Sequence, residues 1–216
     1  EQGEGFDEGT QAVLHGLDNP SFFSPAIQGA LAQNIQVEPR FIPAVEAALG
    51  SALQAIVFKD PGVAESALLT LSRNKLGRAN VIPSDWINRN ADHSQEVPFG
   101  VLGRASECVG GAGDAADLAR HLLAGVLIVE TLEAGFRLRP QFPAFGYATL
   151  QGEFIALNGI VQGGVSGENT GQSALQRKAH IAQLDLELAA STVRLENLAG
   201  ERARAGEALD QAADRL

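Results

Sequence analysis

NGIVQGGVSGENTG, from Asn158 to Gly171, decides how the rest of the chain is read, because the residues before it pattern as a globular body and those after it as one long helix. On its N-terminal side, Phe154-Ile155-Ala156-Leu157 is a short apolar run closed by Asn158-Gly159, residues that tolerate positive φ. Ile160-Val161 resumes β-type sequence until Gly163-Gly164 interrupts it. Glycine weakens a strand unless it serves a bulge or lets another backbone come close. Gly159, Gly163 and Gly164 therefore predict either an ordinary glycine hairpin or a strand that meets a neighbour at bare backbone.

On the C-terminal side Ile181, Leu184, Leu188, Ser191, Leu195, Leu198, Arg202, Ala205, Leu209, Ala212 and Leu216 follow unbroken 3-4 spacing, the pattern of a coiled-coil seam. A helix from Gln172 to the end would reach roughly 65 Å at 1.5 Å per residue. Gly200 and Gly206 weaken it by about 1 kcal/mol each relative to alanine. A stripe this narrow and long suits another helix better than a sheet, so a partner strand is expected.

The 216 residues are 45% hydrophobic and 19% charged, enough for one generous core or two small lobes plus an appendage. No run reaches the roughly 18 to 20 apolar residues of a membrane span. Cys108 stands alone, which precludes an internal disulfide and fits a reducing cytosol. With Glu1 at its start and no methionine, the chain reads as an excised fragment. The net charge of −10 opposes strong binding to duplex DNA through phosphates. Two local exceptions are the window of Arg73, Lys75, Arg78 and Arg89, whose one acid is Asp85, and the pair Arg177-Lys178 at the root of the helix. Solvated surface is the ordinary reading of both, and DNA contact the alternative.

Upstream of the joint the grammar is β-α-β-α-β. Thr10–Leu14 reads as one or two helical turns, and Pro20 and Pro25 bracket a loop around Phe22-Phe23. A short strand is expected at Ile35–Val37 and a helix over Arg40–Leu49, with Phe41, Val45, Ala48 and Leu49 inward and Gly50 as its stop. A buried strand follows at Leu53–Phe58, then a helix capped by Asp60-Pro61 and running to about Lys75, with Val63, Ala67, Leu68 and Leu71 on one face and Gly77 as its stop, then a strand at Ala79–Ile82. The pattern dissolves between Trp86 and Gly103, the best internal boundary. It resumes with a helix over Ala115–Leu123 (Leu118, Leu122 and Leu123 apolar), a strand at Val126–Val129, a short helix over Thr131–Phe136 and strands at Tyr147–Leu150 and up to Asn158. LGSALQAIVFKD and LAGVLIVETL correspond by eye, which suggests two related lobes.

An enzyme reading has little to stand on. His15, His93, His121 and His180 are scattered without metal-site spacing, and GGVSGENTG lacks the Gly-Lys-Ser/Thr of a phosphate loop, as does GGAGD at Gly110–Asp114. Glu130 and Glu133 lie about one turn apart and read as surface. No cofactor is expected.

The run ALGSALQAIVFKDPGVAESALLTLSRNKLGRANVIP (Ala48 to Pro83), then YATLQGEFIALNGIVQGG (Tyr147 to Gly164), then heptads, resembles the hinge domain of bacterial structural maintenance of chromosomes (SMC) proteins. EGFDEGTQAVL, near the start, is similar to the segment that precedes that hinge. The resemblance implies an α/β (α+β) fold of two mixed lobes followed by a coiled-coil helix: a lead-in over 1–16, lobes over 17–95 and 96–170, and an arm over 171–216. It implies a homodimer whose interface includes Asn158, Gly159, Ile160, Val161, Gly163 and Gly164, where one subunit's strand pairs with the other's. Asn158-Gly159 stands where the family often has a glycine pair, LGRANVIPS replaces LGRATFLPL, and the glycine-rich Arg104–Gly113 departs from the family's pattern. The implied role is to join two arms of a cytoplasmic, nucleoid-associated chromosome segregation and condensation ATPase. The nucleotide-binding heads would lie elsewhere in the whole protein, accessory condensin subunits would bind elsewhere on it, and the helix's intramolecular partner would lie upstream of Glu1. Arg73, Lys75, Arg78, Arg177 and Lys178 are the candidate contacts for weak, salt-sensitive DNA binding. The alternative is an α/β small-molecule-binding or catalytic domain with an oligomerisation stalk.

Overall fold

The computed structural model describes residues 6–86, 96–164 and 174–213, with side chains from 175 to 202 in the last stretch. In chain order the first half comprises α1 (Glu8–Leu14), α2 (Pro20–Phe23), β1 (Ile27–Ala30), α3 (Leu31–Asn34), β2 (Gln36–Val37), α4 (Ile42–Leu49), β3 (Ile56–Phe58), α5 (Pro61–Asn74) and β4 (Val81–Pro83). Its centre is β3, all three residues of which are buried. The strand is shorter than its apolar run suggests because Gly50–Gln54 coils into a 3-10 turn first. Asp60 caps α5 by accepting a hydrogen bond from the Val63 N–H at 2.9 Å, with Pro61 in the first turn, where its missing N–H costs nothing. The helix runs to Asn74, within one residue of the expected end at about Lys75; Lys75 takes the left-handed cap (φ 54°, ψ 40°), and Gly77 follows with φ +91°. Its inward face is Ala64, Ala67 and Leu71; Leu68 lies one residue, about 100°, round the helix from Ala67 and is 40% exposed, contrary to expectation. These side chains close a core with Val13, Phe23, Ile56 and Phe58. The expected loop at Phe22-Phe23 is a helical turn that buries Phe23 and leaves Phe22 half exposed.

The second half comprises β5 (Gly103–Arg104), β6 (Val109–Gly110), α6 (Asp114–Leu123), β7 (Val126–Val129), α7 (Leu132–Leu138), β8 (Gly146–Thr149), β9 (Phe154–Ile155) and β10 (Val161–Gln162), followed by α8 (Ala174–Ala213). Thr131 caps α7 as Asp60 caps α5, and β8 returns parallel to β7 as β4 does to β3. The correspondence visible between LGSALQAIVFKD and LAGVLIVETL is thus a repeated strand, cap, helix and parallel strand. A three-stranded sheet has the order β1-β3-β4, and a five-stranded sheet the order β10-β9-β8-β7-β5. Leu127, Val129, Leu138, Phe145, Tyr147 and Ile155 form the second core. In α6, Leu118 and Leu123 face inward but Leu122 is 42% exposed.

The halves are interleaved. β2 pairs antiparallel with β6 (Gln36 opposite Gly110, Val37 opposite Val109), and α4 packs on β8 and α6. Residues 1–176 form one contact unit and 177–216 another. In the second unit α8 leaves Ile181, Leu184, Leu188, Leu195 and Leu198 between 49% and 68% exposed, so the heptad stripe stands uncovered over the described side chains. The heptad positions from Ala205 on, like Arg89, His93 and most of the stretch between Trp86 and Gly103, lie outside the side chains described. No described helix is long and apolar enough to cross a membrane.

Candidate functional site

β9 and β10 form a hairpin that borders the five-stranded sheet, with Ile155 opposite Val161 and Phe154 opposite Gln162. Its turn is closed by Ala156 N–H to the Ile160 carbonyl (2.8 Å) and Gly159 N–H to the Ala156 carbonyl (2.9 Å), while the Asn158 side-chain oxygen accepts from Ile160 N–H (3.1 Å). Gly159 has φ +88°, which explains the Asn-Gly pair directly. Beyond β10 no described strand continues the sheet. Leu157, Ile160 and Val161 are 52%, 55% and 44% exposed, so the hairpin presents an unpaired edge together with apolar side chains. An edge of this kind is an association surface unless something blunts it.

The three glycines prove unlike one another. Gly159 and Gly164 have φ +88° and +101°, a conformation that excludes most side chains, so both are explained within the chain. Gly163 has no positive φ, is exposed, and a Cβ added to it would meet only Glu153 Cγ at 3.5 Å and Cβ at 3.7 Å, ordinary contact. Nothing described in the chain requires glycine at 163. The expectation of close backbone approach therefore rests on this one position.

The other sheet edges differ. Along β1 the Asn34 side-chain amide donates to the carbonyls of Gln28 (3.2 Å) and Ala30 (3.0 Å), and the Gln33 side-chain oxygen accepts from Ala30 N–H (3.2 Å), so side chains occupy that edge's polar groups. β5 is two residues long and runs straight into a 3-10 turn. β4 borders the three-stranded sheet with no described strand outside it, and Val81 and Ile82 are half-buried. Of the remaining described edges, β4 has three residues, and β10, β5 and the two strands of the β2-β6 pair have two each.

Of the candidate DNA contacts, Arg73, Lys75 and Arg78 are exposed around the end of α5. Carboxylates invisible in the sequence window border them: Asp18 accepts from the Asn74 amide at 3.3 Å, and Glu8 lies beside Gly77. Arg177 and Lys178 belong to the other unit and are half-buried, and burial pulls Lys178 below the usual lysine range. Cys108 is held as a thiol, because burial first, and then Glu107 and Glu38, raise it, against a smaller opposing effect of Arg40. A thiol raised in this way is a poor nucleophile. Among the described residues no cluster of His, Cys, Asp and Glu could hold a metal.

Sequence reasoning passed over two residues beneath the hairpin. Gly135 lets α7 lie against the sheet: a Cβ there would come within 2.9 Å of Ile155 Cδ1. Arg139, at the end of α7, donates to the carbonyls of Pro143, Phe145 (3.2 Å) and Leu157 (2.6 Å). The glycine inside a helical run was the available signal for the first; a guanidinium bound to carbonyls leaves none for the second.

A family profile described as SMC proteins Flexible Hinge Domain matches residues 24–139. The chromosome partition protein Smc of Fusobacterium nucleatum is 29% identical over 187 residues, covering 86% of this chain and 15% of that protein. The Smc protein of Lactiplantibacillus plantarum is 32% identical over 176 residues, 75% of this chain and again 15% of the relative. The chain thus spans about 15% of the length of these relatives. Among solved structures, an asymmetric dimer of the Geobacillus stearothermophilus SMC hinge domain superposes with TM-score 0.71 at 28% identity, covering 90% of this chain and 79% of that one. The Pyrococcus furiosus SMC hinge domain gives 0.53 at 26% identity over 67% of this chain and 79% of its own.

Proposed function

This chain belongs to the family of SMC flexible hinge domains, and from that membership we propose that it dimerises with a second copy of itself through β10 to join two coiled-coil arms. The unpaired apolar edge at β10, with an exposed Gly163 that nothing described in the chain requires to be glycine, carries the reading. Its counterpart is β4 of the partner, because β1 is occupied by Asn34 and Gln33 and β4, at three residues, is longer than the remaining edges β2, β5 and β6. Each subunit then offers one edge of each kind, and a two-fold axis closes both contacts into a ring. Asn158, Gly159, Ile160, Val161, Gly163 and Gly164 would line that contact, residues 17–95 and 96–170 would be the two hinge lobes, and 1–16 and 171–216 would lead into the arm. The solved Geobacillus stearothermophilus hinge, described as a dimer, supports the stoichiometry. In the whole protein the hinge would hold together a cytoplasmic, nucleoid-associated chromosome partition ATPase whose heads and accessory subunits act elsewhere.

The test is solution mass in a background carrying Leu188→Glu and Leu195→Glu, which charges the exposed helix stripe so that it cannot substitute for the hinge. Glutamate at 163 would face Glu153, a like-charge pair that weakens the hairpin itself, whereas lysine there faces an opposite charge. A dimer that becomes a folded monomer with Gly163→Lys supports the reading; a chain already monomeric in the background sinks it.

A second reading, weak DNA contact, draws on the exposure of Arg73, Lys75 and Arg78 around the end of α5. Binding through so few cations, with Asp18 and Glu8 alongside, would fall steeply with salt.

A further inference from the structure

The edge that pairs with the partner has little to hold it in place. β9 and β10 share only two opposed residue pairs, and an isolated two-stranded hairpin is marginal in water even when longer. Inward, β9 is anchored on β8 through Ile155 opposite Tyr147 and Phe154 opposite Ala148. Outward, the turn from Ala156 to Ile160 makes its own backbone bonds, but these fix its internal shape and not its position on the body.

Arg139 supplies that position. It follows α7, its N–H bonded to the Gly135 carbonyl at 2.9 Å, and Gly135 brings that helix close under Ile155. One nitrogen of its guanidinium donates to the Pro143 and Phe145 carbonyls, in the loop entering β8, and the other to the Leu157 carbonyl in the hairpin turn. Tyr147 ties down the same loop by donating its hydroxyl to the Phe142 carbonyl at 3.0 Å. A planar fork holds spread donors in fixed directions toward carbonyls of separate segments; lysine offers one compact ammonium on a flexible stem and lacks that pre-organised spread.

We infer that Arg139 is a positioning residue for association: it staples the end of α7 and the Pro143–Phe145 loop to the hairpin turn and so presents β10 to the partner strand. This rests on the reading of β10 as the dimer edge. Arg139 itself touches no partner in the proposal; it acts through the Leu157 carbonyl.

The experiment uses the whole chain with Leu188→Glu and Leu195→Glu, comparing Arg139→Lys, which keeps the charge and aliphatic stem, with Gly163→Lys. Hydrogen exchange is read at the Ala156 and Gly159 amides, both bonded within the turn, and at Leu127 and Val129 in β7 as the core reference. The dimer dissociation constant is read by sedimentation. With Arg139→Lys, exchange at the turn is expected to rise about tenfold or more with β7 unchanged, and the dissociation constant to rise by a similar factor. Exchange that rises equally in β7 makes Arg139 a general stability residue and overturns the inference, as does an unchanged turn or an unchanged dissociation constant. Association that survives Gly163→Lys as well removes the edge reading and the inference with it; association lost with Gly163→Lys but kept with Arg139→Lys removes the inference alone.

Discussion

Replacing Gly163 should separate folding from association, because the chain and its proposed partner place opposite demands on that position. Within the chain, a Cβ meets Glu153 Cγ at 3.5 Å and φ is not positive, so alanine is admitted without strain. Gly→Ala at a compatible site stabilises a fold by about 0.4–1 kcal/mol through the unfolded chain's lost freedom. Lysine adds a cross-strand pairing with Glu153 worth roughly 0.2–1 kcal/mol. The monomer should therefore hold or slightly gain stability in both variants. Between copies the sign reverses. If lysine displaces the partner strand by enough to break about two backbone hydrogen bonds, at ~1 kcal/mol net each, one edge loses ~2 kcal/mol. The two-fold axis repeats the loss, for ~4 kcal/mol, about a thousandfold in dissociation constant.

Sedimentation equilibrium in the Leu188→Glu, Leu195→Glu background measures the association, and the thermal midpoint at a concentration below the dissociation constant measures the fold. Gly163→Ala should fall between parent and lysine in association. The reasoning fails if Gly163→Lys stays within about threefold of the parent's dissociation constant, or if the monomer's midpoint drops along with association. The second result would mean that glycine is needed by the chain after all.

Three further outcomes follow from the same structure. Gly9→Ala puts a Cβ 2.2 Å from the Arg78 carbonyl oxygen, a backbone atom that cannot swing aside. About 1–3 kcal/mol of overpacking, at about 2–4 °C per kcal/mol for a chain of this size, should lower the thermal midpoint, and an unchanged midpoint would refute the packing of α1 on that loop. Tyr147 is raised above its ordinary value of 10.0, chiefly by burial, with Arg139 opposing. Its folded value exceeds its unfolded one, so its contribution is complete below pH 10 and drains away as pH rises through the folded value. Alkaline denaturation should show this slope and Tyr147→Phe should remove it, at about 1 kcal/mol for the lost bond to the Phe142 carbonyl. For DNA, Arg73→Glu, Lys75→Asn and Arg78→Glu together should abolish any low-salt anisotropy signal. Asparagine is chosen at 75 because that residue is left-handed, and an unchanged affinity would dispose of the contact.

Local chemistry made much of this fold legible. Asp60-Pro61 and Thr131 announce helix starts by the hydrogen bonds that only such side chains can offer, and IVF and VLIV are apolar throughout because both strands are buried on both faces. The 3-4 spacing from Ile181 to Leu198 marks one stripe of α8 for the same kind of reason. The errors fall where two local rules compete. Leu68 is the larger apolar group, but the inward face of α5 is Ala64, Ala67 and Leu71; the helix itself ends where expected, with the left-handed cap on Lys75 and not on Gly77.

The site was legible only as a motif, and the structure redistributes its meaning. Glycines that look alike in NGIVQGG separate into two that satisfy a dihedral angle and one, Gly163, that satisfies nothing within the chain. That distinction depends on φ and on Glu153 across the hairpin, neither of which has a local signature. Edges are more remote still: whether β1 or β4 is open depends on Asn34 and Gln33 folding back along β1, since a strand's sequence does not record which of its sides is already occupied. Arg139 marks the limit of sequence reading. Its partners are main-chain carbonyls four, six and eighteen residues away, a bond any residue at those positions would accept, so no residue type in the sequence announces it and only the assembled backbone reveals what it holds. If β10 is the edge that joins two copies, the side chain that keeps it presentable lies outside the glycine motif and below it, which is why substitutions at Gly163 and at Arg139 should reach the same loss of association by different routes.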